Sequence, residues 1–391
     1  MKVNLNHLAK QIIGWMTLFI IGIDLFIVSP MLPKIAGDYH VNSATTGWMV
    51  AFFSAAYVLS APLMGLWADR HSRRNLIFTG LLGFSIANLL TAFSINFLML
   101  LFSRFVAGLT AAAVTPSIYA MIEEVAPQNK KGSWLAIVGS GLLMALWFGV
   151  PLGTILSEHY GWASIFMLLA ACSVCLSWLN RITWPAGPIT KQSKTKLINR
   201  PGIGRSLYAV IPTMIWGASV YGFYTYLGTG LQMIGYHPFR IALTISCYGI
   251  GAVIGSLTGG RLSDSFGSKK ISLSSLGLLA VILAIIGWGI DVPLLLQFLL
   301  ILFALSGYAF FPAFQHFLLQ KYPQYQSTFM AWNNSALYIG ITCGSAAGGY
   351  ILKNFGFTNL PFVMAGLAFA GALFAGIQHY GSVAEKKSTS V

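Results

Sequence analysis

The stretch GLWADRHSRR at residues 65–74 has a counterpart, GRLSDSFGSK, at residues 260–269. A second stretch, GVPLGTILSEHYGW at 149–162, is matched in the same way by GSAAGGYILKNFGF at 344–357. In both pairs the aligned glycines lie 195 residues apart (260 minus 65 and 344 minus 149), which is half of the 391-residue chain. Repetition at a fixed period is typical of a duplicated structural unit. The sequence therefore predicts two halves of the same topology with no net insertion between these landmarks.

The composition excludes a soluble protein. Hydrophobic residues make up 56% of the chain and charged residues only 8%, whereas an ordinary globular protein is about 25% charged. So apolar a chain is not disordered either. The four cysteines lie inside apolar runs and lack the pattern of a disulfide framework, so we expect them to pack within helices. The remaining class is a membrane protein with many spanning segments.

Apolar stretches of about 20 residues, the length that crosses a bilayer as a helix, occur twelve times. The basic stretch 185–203 divides these spans six and six. We predict an all-α membrane protein with twelve transmembrane helices in two pseudo-symmetric six-helix bundles. The bundles are residues 1–184 and 204–381, with 185–203 as a cytoplasmic linker and 382–391 as a cytoplasmic tail. The predicted spans are 11–34, 43–68, 74–94, 96–125, 131–157, 161–184, 204–234, 239–263, 270–290, 293–320, 326–352 and 358–380.

The positions of the basic residues predict the orientation of the spans. If the N-terminus is cytoplasmic, nineteen lysines and arginines lie on the cytoplasmic side and only Lys34, Arg240 and Lys353 on the other. Membrane proteins carry such an excess of basic residues on their cytoplasmic loops. We therefore expect both termini in the cytoplasm. The formal net charge of +14 follows from this topology, so nucleic acid is not an expected partner.

The motifs resemble those of the major facilitator superfamily. GLWADRHSRR, in the loop after span 2, is similar to the family's G-x-x-x-D-R-x-x-R-R signature, and SRFVAGLTAA in span 4 resembles its Arg-centred motif. GVPLGT in span 5, followed by GW, resembles the form seen in 12-span drug:proton antiporters. NNSALYIGITCGSAAGG in span 11 is similar to the bacterial arabinose, sugar and purine efflux permeases. The resemblance covers essentially the whole chain, and parallel duplicated halves imply a binding site between them near the membrane midplane.

Two ionisable residues lie deep inside predicted spans, Asp24 and Arg104. At a rise of 1.5 Å per residue, Asp24 lies about 15 Å from the outer end of span 1 and Arg104 about 12 Å from the outer end of span 4. The resemblance implies that both spans line the central cavity, so the two residues can pair directly or through water. Charges at this depth are costly and mark functional sites, and a purely structural pair is the alternative. We predict that the pair couples transport to protons.

The loop motif is expected to act as a latch. The resemblance implies that it holds the two halves together on the cytoplasmic side in the outward-open state. Asp69 can accept hydrogen bonds from a helix N-terminus, and Arg73 and Arg74 can pair with acids such as Glu123 and Glu124. A topology signal is the alternative, but topology needs only the bases. The residues of this latch motif are Gly65, Asp69, Arg70, Arg73, Arg74 and Asp264.

Span 5 combines small residues with a proline. Gly149 and Gly153 keep a four-residue spacing that allows close helix approach, and Pro151 lacks a backbone donor and bends the helix. We predict that this motif packs at the seam between the halves and seals it against proton leak. Gly344 and Gly348 repeat the pattern in span 11.

The second half offers aromatic and neutral polar residues for a substrate cavity. Three of them in span 7 share one face of a helix by their spacing, although ordinary packing also explains such a stripe. Near the cytoplasmic end of span 10, Gln315 and His316 are predicted to form a gate, with a role at the helix end as the alternative. The predicted cavity residues are Tyr221, Tyr224, Thr225, Tyr308, Asn333 and Asn334.

The sequence carries no signature of an enzyme. It has no phosphate-binding loop and no Ser-His-Asp set, and its histidines form no metal set. We therefore expect no catalytic residue, no metal and no cofactor, with a proton gradient as the driving force.

These observations predict a proton-coupled secondary transporter of the bacterial cytoplasmic membrane that exports a small organic molecule by alternating access. Its expected partners are that substrate, protons and membrane lipids, and it is expected to act as a monomer. Three alternatives remain open: a broad-specificity multidrug:proton antiporter, a proton-coupled uptake symporter, and a non-transporting sensor or lipid scramblase.

Overall fold

The part of the chain that the computed structural model describes is helical and contains no β-strand. Its residues are 5–68, 72–127, 130–185 and 202–388. Side chains are described at all of these positions except 5–6, 61–68, 205, 327 and 379–388. The α-helices are α1 Leu5–Phe26, α2 Val28–Asp38, α3 Ser43–Thr46, α4 Trp48–Ala68, α5 Arg73–Ala92, α6 Phe97–Val125, α7 Lys131–Met144, α8 Val150–Tyr160, α9 Trp162–Thr183, α10 Ile203–Met233, α11 Pro238–Phe266, α12 Ser268–Gly289, α13 Pro293–Lys321, α14 Gln326–Phe355 and α15 Leu360–Ser388. The shorter turns are a π turn at Ala145–Gly149 and 3-10 turns at Pro323–Tyr325 and Phe357–Asn359.

Ten helical segments in the described part of the chain are long and apolar enough to cross a membrane, and they correspond to ten of the predicted spans. The other two predicted spans also form helices, α4 and α10. Tyrosine, glycine and threonine replace much of the aliphatic content of α10, and the side chains of α4 are described only as far as Ser60. The prediction of an all-α multi-pass membrane protein is confirmed.

The helices group into two compact units. The described residues of 1–197 and 231–246 form the first unit, and those of 198–230 and 247–391 form the second. The end of α10 and the start of α11 thus group with the first unit. The last helix, α15, continues past the predicted boundary at residue 381, because the sequence Ala-Glu-Lys-Lys that follows consists of good helix formers.

Span 1 is divided into two helices close to Asp24. α1 ends at Phe26 and α2 begins at Val28. Pro30 has no N–H to donate to the carbonyl of Phe26 four residues earlier, so the helical hydrogen-bond ladder is interrupted here. The interruption lies less than one turn beyond Asp24, which therefore sits at the end of a regular helix.

Span 5 contains the π turn Ala145–Gly149 between α7 and α8. Pro151 removes the N–H that would bond the carbonyl of Trp147, and a single π turn is a common way to accommodate such a defect. Within the first unit, the hydroxyl of Ser246 donates to this Trp147 carbonyl, with 2.8 Å between Oγ and O. The acceptor that Pro151 leaves without a helical partner is therefore satisfied by α11.

Glycines let α14 lie directly against α10 in the second unit. A Cβ atom at Gly340 or Gly344 would meet the carbonyl oxygens of Met214 and Ala218 well inside van der Waals contact. Small residues at helix interfaces allow this close approach in membrane proteins. The glycine spacing in span 11 thus has a packing role within the second unit.

Substitution of Gly344 by Ala is expected to destabilise the protein by about 1–3 kcal/mol, because the added methyl group forces two closely packed backbones apart. Gly366→Ala in α15 is a matched control, since a Cβ atom there meets nothing within 4 Å. The measurement is thermal unfolding of the purified protein in detergent. Equal unfolding temperatures for wild type and Gly344→Ala would contradict the close packing.

Candidate functional site

The candidate site is a buried ion pair between α1 and α6. Arg104 Nη1 donates to Asp24 Oδ1 at 2.8 Å, and Nη2 donates to Oδ2 at 2.7 Å. Nη2 also lies 3.3 Å from the main-chain oxygen of Asp24. The side chains of Asp24 and Arg104 are 0% and 1% exposed. The two residues that the sequence places at similar depth are therefore in direct, bidentate contact.

Aromatic rings enclose the guanidinium of Arg104. Its Cζ lies 5.1 Å from the ring centroid of Phe53 and 5.5 Å from that of Phe166. A cation over an aromatic face is attracted by the ring quadrupole, most strongly where water is excluded. Arg104 Nε is buried and has no hydrogen-bond partner among the described residues. The carboxylate of Asp24 and these two rings thus supply the stabilisation of the charge.

A glycine explains how Phe53 reaches Arg104. Gly108 lies one turn beyond Arg104 on α6, and a Cβ atom there would collide with the carbonyl group of Phe53. The absence of a side chain lets α4 pack directly on α6, which brings the ring of Phe53 over the guanidinium. Sequence analysis did not identify Phe53 or Phe166, because the fold alone brings them to the pair.

The chemistry open to this pair is the binding and release of one proton. Protonation of Asp24 would replace a bidentate ionic contact by a weaker one to a neutral group.

The latch motif is described in part. Asp69 and Arg70 lie outside the described residues, and Gly65 lies in α4. Arg73 Nη1 donates to the carbonyl of Ala120 at 3.2 Å and lies 3.6 Å from Glu124 Oε1. Both partners are on α6, so these contacts join α5 to α6 within the first unit.

Arg74, the other predicted partner of these acids, faces a different element. Its Nη1 lies 3.5 Å from the carbonyl oxygen of Trp184, at the end of α9. Its Nε is buried and has no partner among the described side chains and backbone groups. The two adjacent arginines therefore contact different helices, Arg73 α6 and Arg74 the end of α9.

Replacement of Arg73 by Gln is expected to change the free energy of unfolding by less than about 1 kcal/mol, because the Arg73–Glu124 pair is partly exposed and such pairs contribute little. The side chains of Arg73 and Glu124 are 25% and 40% exposed, respectively. If the motif is a latch, labelling of single cysteines from each side of the membrane should change even so. A much larger loss of stability in Arg73→Gln would contradict the prediction that this contact is weak. Unchanged cysteine labelling would indicate that the motif only sets the topology.

The predicted gate meets the second copy of the loop motif. His316 Nδ1 lies 3.4 Å from Asp264 Oδ1 and 2.9 Å from Ser263 Oγ. On the other side of the ring, Nε2 lies 3.0 Å from Gln320 Nε2. Gln315 is half-buried beside it. His316 of the predicted gate and Asp264 of the second loop-motif copy, which the sequence analysis assigned to different roles, therefore belong to one polar network between α11 and α13.

The span 5 motif faces α1 within the first unit. A Cβ atom at Gly149 would meet the side chain of Ile23, and one at Gly153 would meet Ile27. Pro151 is buried at the start of α8. This part of the motif packs on the helix that carries Asp24, while its role at a seam stays a prediction.

Five aromatic residues form a buried cluster in the second unit, here called the tyrosine cluster: Trp216, Tyr221, Tyr224, Tyr248 and Tyr308. The hydroxyl of Tyr308 lies 3.3 Å from those of Tyr221 and Tyr248. The rings of Tyr224 and Tyr248 stack with 4.9 Å between centroids. Trp216 Nε1 is buried without a hydrogen-bond partner in the described part of the chain. Three predicted cavity residues are thus brought together.

Sequence analysis missed Tyr248, and the repeat identifies it only after the structure has placed Phe53 over Arg104. The offset of 195 residues relates Tyr248 to Phe53 (248 minus 53), the residue over the Arg104 guanidinium. Equivalent positions of the two halves therefore contribute an aromatic ring to the buried pair and to the tyrosine cluster.

The other predicted cavity residues have different partners. Thr225 Oγ1 lies 3.3 Å from Ser345 Oγ on α14. Asn333 Oδ1 accepts a hydrogen bond from Thr213 Oγ1 at 2.5 Å. Asn334 is half-buried. The hydrogen bonds of Thr225 and Asn333 therefore connect α10 with α14.

Neither a metal site nor a disulfide is found in the described ranges. No group of three His, Cys, Asp or Glu side chains lies close enough together to hold a metal ion. The four cysteines are free thiols. The buried pair, the polar network and the tyrosine cluster are therefore the chemically distinctive features of the described residues.

Comparison with known proteins identifies the family. The family model described as Major Facilitator Superfamily matches residues 14–237 and 207–388. The chain is 26% identical to the MFS-type transporter YceJ of Bacillus subtilis, over 89% of this chain and 92% of that protein. It is 25% identical to the multidrug resistance protein MdtG of Escherichia coli, over 95% of this chain and 94% of that protein.

A solved structure shares the fold. The crystal structure of a D-xylose-proton symporter matches with a TM-score of 0.77 at 13% identity, over 94% of this chain and 97% of that chain. The chain belongs to the Major Facilitator Superfamily. It is a multi-pass membrane transporter and not an enzyme.

Proposed function

We propose that this transporter exports a small organic molecule by alternating access and couples the export to protons. The observation that carries the proposal is the pair of Asp24 and Arg104. Among the described residues these are the only charged side chains that are fully buried. A charged group at such depth is costly and is kept where ion or substrate movement needs it.

The repeat supports a division of labour between the two halves. The residues equivalent to Asp24 and Arg104 in the second half are Ser219 and Leu299, which carry no charge. Proton binding is therefore assigned to the first half. One cycle would load a proton on Asp24 from one side of the membrane and release it on the other as the pair separates and forms again.

Substrate contacts of the second half are assigned to the tyrosine cluster and its neighbours. Its rings and hydroxyls can stack with and hydrogen-bond to an organic molecule without a charged partner. Asn333 and Asn334 are further candidates for substrate contacts. Thr225 is a weaker candidate, because its hydroxyl already contacts that of Ser345.

A broad-specificity multidrug:proton antiporter is the second candidate. The likeness to a protein named for multidrug resistance favours it. An uptake symporter has less support, because the D-xylose-proton symporter shares only the fold. Membership of a transporter family speaks against the sensor and scramblase alternatives.

The location of the protein is part of the proposal. We infer that it lies in the bacterial cytoplasmic membrane as a monomer with both termini in the cytoplasm, no cofactor and no nucleic-acid partner. The distribution of nineteen basic residues against three supports this orientation. The latch motif and the Gln315–His316 gate would then lie at the cytoplasmic side.

The test is transport by the purified chain in liposomes with an imposed pH gradient. A screen of sugars, nucleosides, amino acids and lipophilic drugs is read by a pH dye trapped inside. Protons should move against the direction of the exported compound when a substrate is added. Proton movement in the same direction as the substrate would establish symport instead, and no substrate-dependent proton movement with any compound would refute coupling.

A further inference from the structure

A cavity outside the transport site opens among the ends of α1, α5 and α9, in the first unit. Its volume is about 580 Å³, and Lys10, Arg74, Ile182 and Trp184 are among its lining residues. None of the described residues that line it is acidic. We propose that this cavity binds the phosphate group of an anionic phospholipid.

The charge of the cavity favours an anion. Lys10 and Arg74 are both half-buried, so their charges are screened less than those of exposed residues. A concentration of cations without a counter-ion is electrostatically unfavourable until an anion binds.

Arg74 has an unused hydrogen-bond donor. Its Nη1 reaches the carbonyl of Trp184 only at 3.5 Å, and its buried Nε has no partner among the described groups. A guanidinium binds phosphate oxygens through two parallel N–H groups. A phosphate at this cavity would therefore satisfy a donor that the protein leaves unsatisfied.

One lining residue of the cavity, Trp184, is held in place by hydrogen bonds. Trp184 Nε1 donates to Asn180 Oδ1 at 2.6 Å, and Asn180 Nδ2 donates to Thr17 Oγ1 at 2.9 Å. These contacts tie the end of α9 to α1. These hydrogen bonds hold Trp184 in place beside Arg74.

The rim of the cavity favours a lipid over a free phosphate ion. Ile182 is 76% exposed although it is strongly apolar, and Pro185 is exposed beside it. The phosphate group of a lipid could bind Lys10 and Arg74 while its acyl chain packs against Ile182. The predicted cytoplasmic side of the membrane is the one where basic pockets between helices meet anionic headgroups.

The test measures binding of dioleoylphosphatidylglycerol to the full chain in detergent, by native mass spectrometry and by the rise in unfolding temperature. Dioleoylphosphatidylcholine and inorganic phosphate are the comparison ligands. The double variant Lys10→Gln/Arg74→Gln should weaken binding of the anionic lipid about 30-fold, since each cation near a membrane surface contributes roughly fivefold. The single variant Lys10→Gln, which keeps Arg74 and its contact with α9, should weaken it about fivefold.

Arg181→Gln is the matched control. Arg181 lies on the same turn of α9 but stacks on Phe78, with Cζ 4.6 Å from the ring centroid, and does not line the cavity. It should leave binding within about twofold of wild type. An equal loss in Arg181→Gln, equal binding of phosphatidylcholine, or equal stabilisation by inorganic phosphate would each overturn the proposal. So would undiminished lipid binding by the double variant.

Discussion

Replacement of Asp24 by Asn is expected to reduce transport driven by a proton gradient to the level of liposomes without protein. Asparagine has nearly the shape of aspartate but takes up no proton in this pH range. The change also leaves the charge of Arg104, which is 1% exposed, without its carboxylate. Loss of one partner of a buried pair destabilises a protein by about 3–5 kcal/mol. The measurement is substrate accumulation per folded protein in liposomes.

A second variant separates loss of coupling from loss of folding. Asp24→Asn/Arg104→Gln removes both charges, so much of the lost stability should return while proton-driven transport stays absent. Glu158→Gln is the control for removal of a carboxylate, since Glu158 is partly exposed and pairs with Lys34 at 2.5 Å. It should transport as wild type does. Accumulation at the wild-type rate by a folded Asp24→Asn variant would show that the proton binds elsewhere.

Replacement of Arg104 by Ala is expected to lower the free energy of unfolding by about 3–5 kcal/mol, because the carboxylate of Asp24 is then buried without a cation. Arg104→Lys should fall between Ala and wild type. Lysine keeps the charge but cannot make two parallel bonds to the carboxylate, and it stacks less well on the rings of Phe53 and Phe166. Unfolding temperature and folded yield in detergent report these differences.

A double-mutant cycle measures the pair directly. The variants Asp24→Asn, Arg104→Gln and their combination give the interaction free energy by difference. We expect the combined variant to be more stable than the sum of the two single changes implies, because each single change leaves one charge buried alone. Strictly additive effects would contradict the direct contact of 2.7 Å between Nη2 and Oδ2.

The membrane class, the helices and the repeat could be predicted from the sequence because they depend on local properties. Hydropathy over about 20 residues marks a span wherever it lies in the chain. The breaks inside spans 1 and 5 were not predicted as helix ends, although Pro30 and Pro151 supply the local reason for both. Proline shows where a helix is weakened, and the surrounding packing decides whether it bends, breaks or forms a π turn.

Of the candidate site, only the two charged residues could be predicted from the sequence. Asp24 and Arg104 could be recognised because charges at such depth are rare in a span. Their bidentate contact joins residues 80 positions apart, and Phe53 reaches it only because Gly108 lets α4 and α6 touch. The second half shows the same limit, since helix spacing groups Thr225 with Tyr221 and Tyr224, whereas the structure bonds it to Ser345.

By itself, the sequence determined the class of the protein, its duplication and which two charges are buried, since lipid tolerates few charges and hydropathy is read along the chain. The tertiary structure alone decided which aromatic rings enclose the guanidinium, which tyrosines share hydrogen bonds, and that His316 meets Asp264. It also decided that Lys10 and Arg74 share one cavity with the end of α9. Those contacts join residues far apart in the chain, and only helix packing brings such residues within a few ångströms.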